Sequence, residues 1–300
     1  TILRRVPAPM TDAPLRALPD ISLRQLEYLV AVTDAPTWSS AAERVGVSPS
    51  ALSQGLAELE RRIGIALFEA VGRRRILRAE AQPALDHARQ VVALTRDLLA
   101  WSERVRSGRL GRVRVGMIDI AAVVHYPAVL QALREERPDI ELSLTVAPSS
   151  TLLDQLQDGR LDLAVCVEPA VPRSGLDAES LLTEPLAVIG PAGGPIGDPT
   201  RWGPWLLFPR GSHTRQLVER ELGERGAPMR IDAESHQPDV LVQMVALGLG
   251  WTVLPARQVA DRPEIVVGPD LIRRQLVLAT RSGAVRDPAV DDLAERIRAS

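Results

Sequence analysis

Apolar and polar residues alternate with the period of a helix between Trp38 and Gly46. The apolar face of this predicted helix consists of three residues, Ala41, Ala42 and Val45. Ser39 or Ser40 would cap it, because a short hydroxyl side chain accepts a hydrogen bond from an unpaired N–H at a helix start. Gly46 would end it, since glycine adopts a left-handed backbone at little cost.

A second helix is predicted directly afterwards. Ser48 suits its cap, and Pro49 suits its first position, where no backbone N–H is needed. One apolar stripe follows, formed by Leu52, Leu56, Leu59 and Ile63. The outer side of the N-terminal end carries small or polar residues, Pro49, Ser50, Ser53 and Gln54. Reading bases in a major groove requires such hydrogen-bonding side chains at the exposed start of a helix.

The flanking segments predict a compact N-terminal unit followed by one long helix. Ser22–Thr33 is predicted to be helical, with an apolar face of Leu23, Leu26, Leu29 and Val30. Residues 66–68 and 75–77 are predicted as short strands around Gly72. The long helix is predicted to start near Pro83 and to end near Arg106. Its apolar residues recur about every 3.5 positions, as in paired helices.

After residue 111 the pattern changes to alternating strands and helices, which indicates an α/β domain with a parallel sheet. Strands are predicted at 112–118, 140–146, 161–167, 186–189, 205–208, 229–233, 251–254 and 275–280. Helices are predicted at 120–137, 149–158, 214–225, 238–247 and 288–299.

Charge is distributed unevenly along the 300 residues. Residues 1–110 hold 16 arginines against 12 acidic residues, and the remainder holds 20 against 26. A basic N-terminal part suits DNA binding at that end. The chain contains neither lysine nor asparagine, so all 36 cationic residues are arginine. Both missing residues have A-rich codons, which indicates a genome of high GC content.

Nothing in the sequence favours catalysis. It contains no phosphate-loop or dinucleotide motif, and its four histidines and one cysteine show no metal-ligand spacing. Cys166 lies in an apolar strand, where a thiol is usually inert, and a single cysteine cannot form a disulfide within the chain. We therefore expect no cofactor, no metal and no enzymatic activity. No apolar run reaches membrane-spanning length, which makes the cytoplasm the expected location.

Three segments closely resemble the LysR-type transcriptional regulators: Leu23–Val32, Ser39–Arg74 and His87–Val92. The resemblance implies a winged helix-turn-helix at 21–80, a dimerisation helix at 81–107 and a two-lobed effector domain at 112–300. That domain would resemble periplasmic binding proteins, with lobe I at about 112–169 and 275–300 and lobe II at about 170–274. Residues 1–20 are Pro-rich and are expected to be a flexible extension.

The resemblance also implies the partners. Double-stranded DNA would be bound through Ser39, Pro49, Ser50, Ser53, Gln54, Arg73, Arg74 and Arg75. The three arginines lie at the tip of the expected wing and would contact phosphates or the minor groove, although a run of arginines is often only a solvated surface. The family forms dimers and tetramers, and activators in it contact RNA polymerase.

An unknown small-molecule effector would bind between the lobes, where loops follow the carboxyl ends of strands. The candidate residues are Ile118, Asp119, Ser149, Ser150, Thr151, Glu168, Arg210, Ser212, His213 and Thr214. Asp119, Ser149 and Ser212 are also good helix caps, and the two functions can coexist. His213 and His236 are equally consistent with surface or packing positions.

The charged candidates leave the effector open. Arg210 would suit an anionic ligand, whereas Asp119 and Glu168 would suit an amine, so a zwitterion such as an amino acid is one hypothesis. Two other functions compete with the regulator. A solute sensor with protein-docking helices should expose large apolar residues at the second helix, and serines are found there instead. An architectural DNA-binding protein would not need 190 residues of α/β structure.

Overall fold

A computed structural model describes residues 20–72, 74–107, 111–260, 262–285 and 287–300. The chain forms two compact units, which divide between Ala88 and Arg89. The expected flexible extension lies outside the described residues except for Asp20. Among the helices of the described residues, none combines the length and the apolar character needed to cross a membrane.

The first unit consists of three helices and a β-hairpin. The helices are α1 (Leu23–Asp34), α2 (Trp38–Arg44) and α3 (Pro49–Ile63), and the strands are β1 (Phe68–Val71) and β2 (Arg74–Leu77). The predicted apolar stripe of α3 is buried at Leu52, Leu56 and Leu59. Leu23 was wrongly assigned to the apolar face of α1, because it lies in the exposed first turn. The hairpin strands are displaced by up to three residues from their predicted positions.

The cap of α2 differs from the prediction. Thr37, rather than Ser39 or Ser40, precedes the helix and accepts the N–H of Ser40 at 3.1 Å. The Ser40 hydroxyl in turn accepts the N–H of Thr37 at 3.2 Å, so the two residues form a reciprocal capping box. Trp38 can therefore occupy the first helical position. The predicted left-handed glycine is present at Gly46, where φ is 70°.

The helix α4 (Gln82–Ser107) spans the boundary between the two units and starts one residue before the predicted Pro83. Its C-terminal half is fixed to the second unit by Arg281, which donates to both carboxylate oxygens of Asp97 at 2.9 and 3.1 Å. The guanidinium also donates to the carbonyls of Leu156, at 2.8 Å, and Leu161. These hydrogen bonds satisfy the donors of a buried guanidinium group, which would destabilise the fold if it were buried without partners.

The second unit is built on a six-stranded sheet with the order β4–β3–β5–β10–β6–β9. The strands are β3 (Arg112–Met117), β4 (Glu141–Val146), β5 (Leu163–Val167), β6 (Leu176–Pro191), β9 (Thr252–Leu254) and β10 (Ile265–Arg281). The strands β4, β3 and β5 pair in parallel, but the remaining pairs are antiparallel. The prediction of a parallel sheet was therefore wrong for three of its five strand pairs, because β10 and β9 run opposite to the strands beside them.

Long strands divide the sheet between two lobes. The N-terminal part of β6 and the C-terminal part of β10 pack in the core of lobe I, and their other ends pack in lobe II. The sequence predicted only the apolar pieces 186–189 and 275–280 of these strands. Polar residues interrupt the apolar pattern within each strand, so the continuous strands of 16 and 17 residues were missed.

Helices pack against this sheet, and lobe II adds a small parallel pair of strands. The helices are α5 (Pro127–Glu136), α6 (Ser149–Gln157), α7 (His213–Glu224), α8 (Pro238–Ala246) and α9 (Pro288–Ala299). The paired strands are β7 (Trp205–Leu207) and β8 (Ile231–Glu234). Most of these bounds differ from the predictions by one or two residues.

The predicted helix at 120–137 is wrong as a single element. A π-helical turn occupies Ala121–His125, Tyr126 leaves helical geometry, and α5 starts at Pro127. Proline has no N–H to continue a preceding helix and disfavours helical geometry in the residue before it. The break places His125 close to the strands that join the lobes, a position that matters for the site.

Candidate nucleic-acid interface and ligand cleft

The start of α3 presents an exposed polar surface. Ser48 caps the helix by accepting the N–H of Ala51 at 3.2 Å, and its hydroxyl lies 2.9 Å from that of Ser50. Pro49, Ser50 and Gln54 are exposed, and Ser53 is half-buried. Ser39, on α2, is exposed as well. These groups have hydrogen-bonding capacity directed to solvent, as an interface for base edges requires.

Gly55 allows α3 to lie close against α1. A Cβ atom at Gly55 would stand 2.7 Å from two ring carbons of Tyr28, well inside van der Waals contact. Tyr28 is buried, and its hydroxyl accepts a hydrogen bond from Nε of Arg24 at 3.2 Å. Glycine is unfavourable inside a helix, and this close approach explains its presence here.

The β-hairpin is positioned by an aromatic contact that the sequence did not reveal. The guanidinium of Arg75 lies over the ring of Trp38, 5.2 Å from its centroid, and the edge of Trp38 meets Phe68 at a centroid distance of 5.2 Å. A cation–π contact orients the arginine while leaving its N–H groups available. Arg73 and the side chain of Arg74 lie outside the described residues.

Glu60 connects α3 to the start of the hairpin. One of its carboxylate oxygens accepts the backbone N–H groups of Leu67, at 2.7 Å, and Phe68, at 3.2 Å. Charged acceptors strengthen such bonds. The hairpin is therefore attached to the same helix that presents the polar surface.

A cavity of about 350 Å³ lies between the two lobes of the second unit. Seven of the predicted effector residues line it: Ile118, Asp119, Ser149, Ser150, Ser212, His213 and Thr214. Further lining residues that were not predicted include Val146, Pro148, Phe208, Gln237, Pro238 and Arg274. His236, for which a surface or packing position was considered, also lines the cavity.

The structure does not bring the other three predicted residues to the cavity. Thr151 lies on the exposed side of α6, one residue beyond the lining serines. Glu168 is exposed after β5, and its N–H pairs with the carbonyl of Gln275. Arg210 is exposed in the turn before α7. A position near a strand end was therefore not enough to predict which side chains face the cavity, because a change of one or two residues reverses the direction of the side chain.

Of the three predicted caps, only Ser212 caps a helix, by accepting the N–H of Arg215 at 3.4 Å. Asp119 precedes the π-helical turn, which has no side-chain cap. Ser149 is the first residue of α6, and its hydroxyl accepts the N–H of Val167 at 3.1 Å. Ser149 thus connects α6 with the end of β5, and its hydroxyl proton can be donated into the cavity.

A buried ion pair forms one wall of the cavity at the crossing between the lobes. Arg274 on β10 donates from Nε and Nη2 to one oxygen of Glu184 on β6, at 2.9 and 2.6 Å. Nη1 donates to the hydroxyl of Thr214 at 2.9 Å, and Nε2 of His125 lies 2.8 Å from the other Glu184 oxygen. Burial lowers the pKa of Arg274, which Glu184 opposes.

Two further groups in the cavity have shifted pKa values. Burial, together with the charge of Asp239, raises the pKa of Asp119 above its usual value. Burial also lowers the pKa of His213, whose Nδ1 lies 3.4 Å from the carbonyl oxygen of Val167. The lowered pKa keeps the imidazole neutral at neutral pH, and the raised pKa favours protonation of Asp119 relative to a carboxyl group in water.

Cys166 is fully buried in β5, and burial raises the pKa of its thiol to about 12. A thiol is a nucleophile only as its thiolate, so this residue is unreactive near neutral pH. Within the described part of the chain, no cluster of three or more His, Cys, Asp or Glu residues could hold a metal ion.

Comparison with known proteins gives two consecutive family matches. Residues 23–82 match the helix-turn-helix of bacterial regulatory proteins of the lysR family, and residues 106–300 match the LysR substrate binding domain. The second match alone covers more than half of the chain. One match lies within each of the two units.

Individual relatives align along almost their whole length. The chain is 28% identical to the HTH-type transcriptional regulator IlvR of Caulobacter vibrioides, over 86% of this chain and 92% of the relative. It is 30% identical to a probable hydrogen peroxide-inducible genes activator of Streptomyces viridosporus, over 92% and 93%. A full-length OxyR variant from Pseudomonas aeruginosa has a similar structure, with a TM-score of 0.61, 25% identity and coverage of 92% and 94%.

Proposed function

Since the chain belongs to the LysR family of DNA-binding transcriptional regulators, which are not enzymes, we propose that it reads an operator with α3 and the β1–β2 hairpin. Ser50, Ser53 and Gln54 would face bases in the major groove, with Ser39 and Pro49 at the edge of the contact. Arg73, Arg74 and Arg75 would bind phosphates or the minor groove. The exposed polar start of α3, opposite its buried leucines, is the observation that carries this proposal.

Self-association through α4 completes the proposal. Its C-terminal half exposes large apolar side chains, namely Leu98, Leu99, Trp101 and Val105. A second copy of α4 would cover them, and the resulting dimer would place two recognition helices about 34 Å apart, in successive major grooves. Two dimers would then form a tetramer. An activator of this kind would contact RNA polymerase, and a regulator that binds chromosomal DNA would act in the cytoplasm.

The second unit would couple ligand binding to a change in how the DNA-binding residues contact the operator. We assign residues 21–80 to DNA binding, 81–107 to dimerisation and 112–300 to effector binding. A small molecule in the interlobe cavity would change the angle between the lobes, and α4 would transmit this change because Asp97 is paired with Arg281. Coupling of this kind needs only that the ligand binds one lobe arrangement better than the other.

A redox signal is the alternative suggested by the name of the Streptomyces relative. The only cysteine of this chain, Cys166, is buried and has a thiol pKa of about 12. Oxidation by peroxide requires an accessible thiolate. These properties favour a reversibly bound small molecule over thiol oxidation.

The test is retention of labelled DNA from the region upstream of the gene, with scrambled competitor, at two salt concentrations. Specific, salt-sensitive binding is expected, and Arg73/Arg74/Arg75→Ala should abolish it. The matched control is Arg112/Arg134/Arg298→Ala, which removes three charges from exposed positions of the second unit. Absence of DNA binding at low salt, or equal loss in both triple variants, would contradict the proposal and favour a solute sensor.

A further inference from the structure

The interlobe cavity contains a carboxylate without a protein partner. Asp119 forms no hydrogen bond or ion pair that the described residues show, and it does not cap the π-helical turn that follows. Its position is nevertheless fixed, because the flanking residues Ile118 and Ile120 are buried. A partly buried carboxylate loses some of its hydration, and a cationic ligand group can compensate for that loss.

Arg274 is the one arginine among the described lining residues, and its guanidinium donates to Glu184 and Thr214 rather than to Asp119. His213 is neutral at neutral pH because burial lowers its pKa. Among the described lining residues, the carboxylate of Asp119 is therefore open to pair with a cationic group of a ligand.

A second carboxylate approaches from the other lobe. Asp239 lies in the first turn of α8, next to Pro238, which lines the cavity. Its charge raises the pKa of Asp119, so the two carboxylates lie within electrostatic reach of each other. Asp119 belongs to lobe I and Asp239 to lobe II. A cation bound at Asp119 would offset the repulsion between the two carboxylates.

We propose that the effector carries a protonated amine or guanidinium group, which Asp119 binds from lobe I while Asp239 approaches it from lobe II. This inference rests on the proposed effector function of the cavity. The volume of about 350 Å³ lies at the small end of ligand pockets, which fits a single small amine. The hydroxyl of Ser149 and the N-terminal turn of α6 are available for a carboxylate or another polar group of the same ligand.

Calorimetric titration of the full-length protein without DNA tests the inference, because polyamines bind DNA themselves. The cationic probes are arginine, lysine, agmatine and putrescine, and glutarate serves as an anion of similar size. At least one cationic probe is expected to bind, and glutarate is not. Agmatine and arginine differ by one carboxylate, so the ratio of their affinities shows whether the start of α6 contributes to binding.

Matched variants locate the binding. Asp119→Asn should weaken binding of the cationic probe about tenfold or more, and Asp239→Asn should weaken that binding less. Asp270→Asn, an exposed carboxylate on β10 outside the cavity, should leave affinity unchanged. Binding of glutarate instead of the cations, binding by no cationic probe at millimolar concentration, or equal affinity in Asp119→Asn would overturn the inference. Loss of operator binding in the absence of any ligand would instead contradict the proposed regulator.

Discussion

Arg274 and Glu184 are paired at the point where β10 and β6 pass from one lobe to the other. They are direct partners in the strand register, and both side chains are buried. The pair also contacts each lobe separately, through His125 on one side and Thr214 on the other. The bond across the strands and the bond to Thr214 therefore depend on Arg274, whereas the bond to His125 depends on Glu184.

Replacement of Arg274 by methionine should destabilise the second unit by about 3–5 kcal/mol, because Glu184 would remain buried without its partner. The double variant Arg274→Met/Glu184→Leu should lose less free energy of unfolding than Arg274→Met alone. Urea unfolding followed by tryptophan fluorescence reports on lobe II, which contains Trp202, Trp205 and Trp251. Arg298→Met, at an exposed position, is the control. Equal losses in the single and double variants would show that the pairing itself is unimportant.

Gln54→Ala should weaken specific operator binding more than non-specific binding. Gln54 is exposed near the start of α3, and an amide can pair with both N6 and N7 of adenine, which is worth about 1–3 kcal/mol. Competition with operator and scrambled DNA measures the two affinities. Gln131→Ala, exposed on α5, should change neither. If both affinities fell equally, Gln54 would contact the DNA backbone rather than a base.

Gly55→Ala should destabilise the first unit, although alanine is intrinsically about 1 kcal/mol better in a helix. The new methyl group would stand 2.7 Å from the Tyr28 ring, and overpacking of this kind costs about 1–3 kcal/mol. Gly223→Ala in α7 is the matched control, since a Cβ there meets nothing within 4 Å. That substitution should stabilise its own unit in thermal unfolding. A stabilised Gly55→Ala would show that α1 and α3 separate easily.

Asp119→Asn should raise the thermal stability of the ligand-free protein near neutral pH. The pKa of Asp119 is raised by burial and by Asp239, so folding favours its protonated form. Stability from such a group is fully present below the usual carboxyl pKa and is lost as pH rises through the higher folded pKa. The variant should therefore gain roughly 1–2 °C near pH 7 and almost nothing near about pH 4. A gain independent of pH would exclude charge as its cause.

The N-terminal unit was the more predictable part of the fold. Its elements are short and local, so residues such as Ser48, Pro49 and Gly46 specify where helices begin and end. The antiparallel half of the large sheet could not be predicted in the same way. The pairing of Glu184 with Arg274 joins residues 90 positions apart, and hydrophobic periodicity contains no information about such a partner.

The candidate cleft was predictable as a region but not as a set of contacts. Asp119, Ser149 and His213 were found because they follow strands or begin helices. Arg274 was missed because it lies inside a long strand, where an arginine would ordinarily face solvent. Arg210 was chosen for its charge, but the turn before α7 directs it outward. Tertiary packing decides these directions, and the local sequence does not.

The continuity of β6 and β10 through both lobes restricts how a ligand signal can travel. A change in the interlobe angle must bend a two-stranded ribbon, since no flexible single-chain linker separates these parts. Such a ribbon is stiff along its hydrogen bonds and compliant across its faces. The register irregularity between Leu276 and Val277 lies next to the crossing and gives the ribbon a local point of weakness. In the proposed effector response, the fold would therefore set the direction of the movement in advance, and the ligand would determine only its extent.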